Sequence, residues 1–325
     1  MFATKPLYSF NQLEKACIER RPSLQCKSPY VADAILSDSN SKTIIHTPAL
    51  GCCGLSHNGS NVLISLLYDK RANENEGKGK GNGKGKGKGK GKGKKKKKRV
   101  CEYRAEISIV HDDIRNHVEY IGINPKMGET LVEQALIQHS IPGLEHVKGY
   151  KREFTIGKSR FDFCGLDKDG RAFLMEVKNV PLADYVDMYE KDKKKLMKEQ
   201  PDVFDNCKYN DKIAYFPDGY RKKQTDTVSP RALKHVQELE QIKKTSVTRC
   251  ILCFIIQRTD IKQFQPSKID PIYRAAVQKA WLNGVEIIAL SIQWTKDGCA
   301  YVHRNDLPIC LFDEYGPIPL EKTLL

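Results

Sequence analysis

Asp162, Glu176 and Lys178 lie in SRFDFCGLDKDGRAFLMEVKNV, Ser159 to Val180, inside two short apolar runs around a turn. In RAFLMEVKNV a side-chain period of two puts Leu174, Glu176, Lys178 and Val180 on one face of a strand, with Phe173, Met175 and Val177 on the other. In RFDF, Asp162 lies on the face opposite Phe161 and Phe163. A hairpin with an odd-numbered loop centred on Asp169 sets Asp162 directly across from Glu176, with Cβ atoms roughly 4.5–5.5 Å apart. Two carboxylates that close repel by roughly 3 kcal/mol at an effective dielectric near 20. A divalent cation offsets the repulsion, and oxygen ligands at this spacing suit Mg2+ or Mn2+. The register is open at this point, because a two-residue Asp169-Gly170 turn pairs Asp162 with Val177 and sends Glu176 to the opposite face.

A third carboxylate, Glu133, sits in GETLVEQALIQHSIPG, where Leu131, Val132, Ala135 and Leu136 recur at helical spacing and Pro142 and Gly143 stop the helix. Leu136 and Ile137 follow Glu133 on its own side, which turns the acid toward the sheet. A lone acid in such a place is ordinarily a solvated surface residue. Three acids and a lysine that fit one geometry point instead to a site.

The elements that must carry these residues follow from the apolar periodicity. Three β-like runs, 146–156, 160–166 and 171–180, succeed the helix. A helix at 229–244, a buried strand at 249–258, a helix at 271–284 and a strand at 285–294 complete a mixed α/β sheet. Before residue 125 the runs 30–36, 43–49, 61–68, 101–110 and 117–124 read as five short strands, the signature of a small OB-fold-like barrel. The expected organisation is therefore an OB-like domain over 1–124 and an α/β domain over 125–325. The barrel is interrupted at about 72–100 by a Lys/Gly-rich loop between its third and fourth strands, which is expected to be disordered.

A net charge of +15 on 325 residues suggests a nucleic-acid binder until its position is examined. Gly77 to Arg99 holds 13 of the 55 Lys and Arg and no acid, which leaves 42 cations against 40 Asp and Glu elsewhere. The basicity belongs to one segment. Eleven scattered cysteines in a chain this large read as reduced thiols. Cys250 and Cys253 have zinc-like spacing, yet an apolar strand sends their sulfurs to opposite faces, so they read as core. MFATKPLYSFNQLEKACIERRP lacks the apolar region of a secretory leader, and no apolar run approaches the roughly 20 residues of a membrane span. The expected setting is cytoplasmic or nuclear, not secreted, with no membrane partner.

Glu133, then Asp162, then Glu176-Val177-Lys178 is similar to the PD-(D/E)xK nuclease signature, a helical acid, an Asp and an E-x-K cluster that bind metal. More closely, the chain resembles the sugar fermentation stimulation protein A (SfsA) family. The matching stretches are NPKMGETLVEQAL (124–136), KSRFDF (158–163), MEVKNVPL (175–182), AYFPDG (214–219), Arg231 with Lys234 and His235, and IIQRTDIKQFQPSKIDPIY (255–273). IIHTPALGCCGL (44–55) resembles a stretch of the family's OB-like N-terminal domain. The intervals Tyr185–Ile213 and Tyr220–Ser229 are longer than the family usually has, and the lysine-glycine segment is foreign to it.

The resemblance implies a DNA-binding protein with a nuclease-type fold. Asp162, Glu176 and the carbonyl of Val177 would hold Mg2+ or Mn2+, with Glu133 as an outer or second-metal ligand. Lys178 would steady the attacking water or the charge on the phosphate; its alternative is a salt bridge to Glu176. Arg160, Arg231, Lys234, His235, Gln257 and Arg258 are the candidate nucleic-acid contacts. A non-catalytic DNA-binding regulator, an RNA-processing nuclease and a homodimer stay open.

The lysine-glycine segment carries its own test. Flexible glycines let its lysines follow any polyanion, and neutralising even 6 phosphates costs roughly a thousandfold in affinity between 50 and 200 mM salt. Deleting Gly77–Arg99 is expected to lower nonspecific DNA affinity and flatten its salt dependence while leaving the melting temperature unchanged. An unchanged salt slope in a filter-binding titration would assign the segment to an inert expansion or an import signal.

Overall fold

In a computed structural model the described residues are 5–48, 54–67, 101–157, 159–217 and 225–313, with the backbone of 316–318. The strands before residue 125 are β1 (Tyr8–Ser9), β2 (Glu14–Arg20), β3 (Val31–Leu36), β4 (Lys42–His46), β5 (Asn61–Leu66), β6 (Tyr103–Asp112) and β7 (His117–Gly122). β2, β3 and β4 form an antiparallel meander, β5 lies between β2 and β6, and a parallel pairing of β4 with β6 closes the five strands into a ring. Ala16, Ile18, Ala34, Ile45, Val62, Ile64 and Ala105 fill its interior.

Two expectations are corrected here. The ring begins one strand earlier than the periodicity predicts, at EKACIER, where only Ala16 and Ile18 are buried between charged neighbours. His117–Gly122 lies outside the ring, paired with the far edge of β6. The lysine-glycine stretch therefore separates the fourth and fifth ring strands, and it lies outside the described residues.

The rest of the chain continues with α1 (Lys126–Ile137), β8 (Gly149–Ile156), β9 (Ser159–Leu166), β10 (Ala172–Val180), β11 (Ala183–Asp184), α2 (Glu190–Glu199), α3 (Asp202–Asp205) and β12 (Lys212–Phe216). It ends with α4 (Pro230–Thr245), β13 (Arg249–Ile256), β14 (Ile261–Pro266), α5 (Pro271–Leu282), β15 (Glu286–Trp294), β16 (Cys299–Arg304), β17 (Ile309–Phe312) and β18 (Gly316–Ile318). A seven-stranded mixed sheet runs β1-β16-β15-β13-β10-β9-β8, with β10, β13 and β15 mutually parallel at its centre. β13, RCILCFII, is buried at every position, as a parallel strand covered on both faces must be. A smaller sheet runs β11-β12-β14-β17-β18.

Helices cover both faces of the large sheet. α1 packs its Leu131, Val132, Ala135 and Leu136 stripe onto Phe163, Met175, Cys253 and Ile255. α4 and α5 pack Val236, Leu239, Tyr273 and Val277 onto Leu174, Cys250, Leu252 and Phe254. Both start as their sequences dictate, with Pro at the first turn and a side-chain cap: Ser229 accepts from the Ala232 amide and Asp270 from the Tyr273 amide. Cys250 and Cys253 fall in the two different cores, as expected for structural thiols.

β7 joins the ring to the large sheet at a point that has no room for a side chain. The Gly122 amide donates to the Gln257 carbonyl at 3.1 Å, and a Cβ at Gly122 would collide with Gln257 Oε1 and Trp294 Nε1. Gly122→Ala is expected to cost about 1–3 kcal/mol by overpacking, read as a lower urea midpoint with an unchanged slope.

Candidate active site on the central strands

β9 and β10 pair Leu166 with Ala172, Gly165 with Phe173, Cys164 with Leu174 and Phe163 with Met175, which is the odd-loop register. The loop is held by Asp167, whose Oδ1 accepts from the amides of Asp169 at 3.0 Å and Arg171 at 2.9 Å. Gly170 takes φ +82° within it, a backbone state glycine adopts without strain.

The ladder stops where the acids begin. One step beyond Phe163, Asp162 Oδ2 accepts from the Val177 amide at 2.7 Å, engaging an amide that the ladder would otherwise use. β9 also turns over at this residue. Phe163 lies in the α1 core and Phe161 in the α4/α5 core, although residues two apart in a regular strand share a face. β8 turns over opposite it: Glu153 has φ +55°, Arg152 sits over the Phe163 ring at 5.7 Å, and Phe154 packs into the other core. The expectation that Phe161 and Phe163 share the face opposite Asp162 is therefore corrected. Asp162 stands at the turnover, reaching across the gap between the strands.

Glu176 is 3% exposed. Its Oε1 accepts from both Lys178 Nζ and His235 Nδ1, while its Oε2 is buried without a hydrogen-bond partner. Lys178, itself buried, thus makes the salt bridge to Glu176 that was its alternative role. Burial pushes the Glu176 carboxyl up, but the His235 hydrogen bond and the Lys178 charge outweigh it and hold the group below its ordinary value. Asp162 moves the other way. Burial and then the Glu176 charge raise it to about 7, offset in part by the Val177 amide. One carboxylate is held charged and its neighbour is left able to carry a proton near neutrality.

The expected helix acid, Glu133, shares its β8 partner with a second acid of α1. Glu133 accepts from Tyr150 at 3.3 Å and from Arg152 Nη1 at 2.7 Å. Glu129, one turn earlier, takes Arg152 Nη2 at 3.0 Å, and it is the α1 acid whose charge raises Asp162. The inward stripe of α1 leaves both acids on the flank that faces β8, so burial periodicity alone does not choose between them. Tyr273 on α5 was not singled out by sequence. Its ring is fully buried, its hydroxyl has no hydrogen-bond partner, and burial, then Glu176, then Asp270 push it well up. An aromatic on an apolar helix stripe carries no sequence mark that separates it from core.

The expected nucleic-acid contacts divide by burial. Arg160 is exposed and pairs with Glu153 at 3.3 Å; Arg231 and Lys234 are exposed on α4, Lys234 near Glu238 at 3.5 Å. His235 is corrected from phosphate contact to Glu176 partner, because it shares the buried stripe of Ala232, Val236 and Leu239. Gln257 is corrected to a core link: fully buried, it accepts from Trp294 Nε1 at 2.9 Å and donates to Asn179 Oδ1. Arg258 is corrected likewise, since its fork grips both oxygens of buried Asp260 at 2.6 and 2.7 Å and reaches the Pro181 carbonyl at 3.1 Å.

The family description "Sugar fermentation stimulation protein RE domain" matches residues 126–190 and 204–298, an interval that holds every residue of this cluster. The chain belongs to the SfsA family. The break in the match, 191–203, falls within the stretch Tyr185–Ile213 that reads as longer than the family usually has. A sugar fermentation stimulation protein homolog of Magnetococcus marinus is 31% identical over 185 residues, 57% of this chain and 64% of that protein. One of Pseudomonas savastanoi pv. phaseolicola is 33% identical, covering 54% of this chain and 61% of that protein. The chain thus matches less than two thirds of the length of these relatives. The solved structure of Pyrococcus furiosus SfsA in complex with Ca2+ superposes with a TM-score of 0.61 at 18% identity, over 94% of this chain and 100% of that one, so the SfsA fold is shared. No helix among the described residues is long and apolar enough to cross a membrane.

The raised Asp162 sets a pH test. Its folded pKa of about 7 lies above the unfolded carboxyl value, so its contribution to stability is present at low pH and drains away as pH rises from about 4 through about 7. In EDTA, Asp162→Asn is expected to match the parent's melting temperature near pH 4 and to exceed it at pH 8. After discounting for solvent screening the gain is on the order of 1 kcal/mol. Coincident melting curves at both pH values would remove the repulsion from the account.

Proposed function

We propose that this SfsA-family chain binds DNA and hydrolyses phosphodiester bonds with a divalent cation at Asp162 and Glu176. The observation that carries the reading is the unequal carboxylate pair: Glu176 held charged with Oε2 buried and unpartnered, beside Asp162 raised to about 7. A cation would satisfy the orphaned oxygen and relieve the repulsion at once. Both donors are carboxylates, which suits hard Mg2+ or Mn2+, and the Ca2+ of the Pyrococcus furiosus relative is of the same oxygen-seeking class. The ligands in this reading are Asp162, Glu176 and the Val177 carbonyl. Glu133 and Glu129, bridged by Arg152, are the α1 acids behind them, and the charge of Glu129 adds to the rise at Asp162.

Among the described residues no group of three or more His, Cys, Asp and Glu side chains gathers as a ready metal cage. Water or a substrate phosphate would complete the shell, as is usual for Mg2+. Bound there, the cation would acidify a water and neutralise charge on the scissile phosphate. The chain's own residues do the rest. Lys178 and His235 fix Glu176 through Oε1 and leave Oε2 to face the cation. Asp162, anchored to the Val177 amide, can release its proton near neutral pH when a second positive charge arrives. Arg160, Arg231 and Lys234 supply exposed cations for backbone phosphates.

The fold supports the same reading at a finer level. A helix acid, Asp162 and E-x-K on neighbouring strands of a mixed sheet agree with a PD-(D/E)xK arrangement. The closed ring β2-β3-β4-β6-β5, with its one parallel pair, has the strand order of an OB-like barrel. In this reading the barrel domain ends at about residue 124 and the nuclease-like domain follows. A non-catalytic DNA-binding regulator is the second reading, favoured by Lys178 and His235 already occupying one oxygen of Glu176.

Asp162→Ala and Glu176→Ala are expected to lower cleavage at least 100-fold in Mg2+ or Mn2+ while DNA retention stays within about threefold, since phosphate contacts elsewhere carry affinity. The assay pairs single- and double-stranded DNA and RNA with Mg2+, Mn2+ and EDTA. Cleavage by the variants equal to the parent's would sink the nuclease reading. Retention without cleavage in any metal would transfer it to the regulator.

A further inference from the structure

Two clefts of the barrel meet at Arg104, and their linings differ in kind. The first, about 640 Å3, sits where the chain passes from β1 in the large sheet to β2 in the ring and has Tyr8, Phe10 and Tyr103 on its walls. The one acid among its described lining residues, Glu14, bonds the Tyr103 hydroxyl. The second, about 540 Å3, is lined by His46, Arg104, Asn124 and Lys126, with no acid among the described residues that line it. Arg104 is aimed by buried Glu106, which takes its Nε at 2.6 Å and also accepts from Ser65 at 2.6 Å and Asn124 at 2.7 Å. Among the described residues the two terminal nitrogens of the guanidinium have no hydrogen-bond acceptor, and they face whatever enters between the clefts.

We propose that the two clefts form one groove for a single-stranded nucleic acid, a base entering the aromatic cleft while its phosphate lies in the basic one across Arg104. The groove rests on the nucleic-acid reading above and adds to it a contact surface on the barrel, built from residues other than the Glu176 cluster.

The chemistry of each cleft selects its occupant. A nucleobase has flat faces that stack on Tyr and Phe rings and no charge for Glu14 to repel, whereas a phosphate there would meet that carboxylate. The second cleft offers the opposite. Lys126 is exposed at the start of α1, and Tyr30 stacks on His46 with ring centres 6.5 Å apart. Burial first, then Arg104 and Lys126, hold His46 below its ordinary value, with Glu106 acting against them and Arg21 with them. A duplex keeps its base faces stacked inside, so only an unpaired strand can fill both clefts.

The test uses the full chain and a 12-nucleotide oligo(dT) probe. The His46 imidazole, followed by NMR, is expected to titrate at higher pH with the oligonucleotide bound, because a phosphate beside it favours the imidazolium; this needs no substitution. By fluorescence anisotropy, Tyr103→Leu is expected to weaken the probe by roughly 5- to 150-fold, the range for one base stack, and to leave a blunt duplex unaffected. Lys126→Gln is expected to weaken the probe and reduce its salt slope by about one. Both variants are checked for an unchanged melting temperature. If the probe binds the parent but His46 does not shift, the groove is wrong and the nucleic-acid reading stands. If the parent binds no probe at low salt, that reading falls and the groove with it.

Discussion

Burying the charge of Glu176 within a sheet is the constraint on which the architecture turns. A carboxylate with 3% of its surface exposed persists as an ion only if cations come to it, and here one comes along the strand and the other from a helix. Lys178 is two residues on and so shares the face of Glu176. His235 requires that α4 lie over β10 with its Ala232, Val236 and Leu239 stripe inward, which fixes helix rotation as well as position. Ser229 and Pro230 set the start of that helix and hence the phase of the stripe. The electrostatics of one side chain thereby reaches through β10 and α4 into the packing of half the sheet.

Other buried ions in the molecule show what a purely structural solution looks like. Arg249 spends its fork on Glu286 at 2.8 and 2.6 Å, on Asp167 at 3.0 Å and on the Gly143 carbonyl at 2.8 Å. Asp260 has both oxygens on Arg258 and a further contact from Lys212. In these networks the buried charges meet opposite partners at good distance, and they tie β13 to its neighbours. The Glu176 cluster is different because Oε2 and the Tyr273 hydroxyl are left over. Unpaired buried polar atoms cost stability, so this cluster lacks the complete pairing that the two structural networks achieve.

Much of this was legible in the sequence, for identifiable reasons. The α4 and α5 starts followed from Ser-Pro and Asp-Pro and β13 from its unbroken apolar run, while the β9/β10 register is the odd-loop one of the two that the sequence left open. The turnover at Asp162 was not legible, because it depends on Glu153 adopting a positive φ in a different strand. His235, Gln257 and Arg258 misled for a common reason. Each is a polar residue whose partner, Glu176, Asn179 with Trp294, or Asp260, becomes its neighbour through the way the strands and helices come together. β2 was missed because two small buried side chains among charges make a weak alternation.

β1 pairs with β16 before the chain enters the ring, and β7 leads from the ring directly into α1. The barrel is thus an excursion that departs from the large sheet and returns to it, fastened by two separate strands of chain. A body tethered twice loses the free swivel that a single linker allows its domain. What relative motion remains is bending about the line through the two connections, so any cleft between the ring and the sheet opens and closes along one direction only.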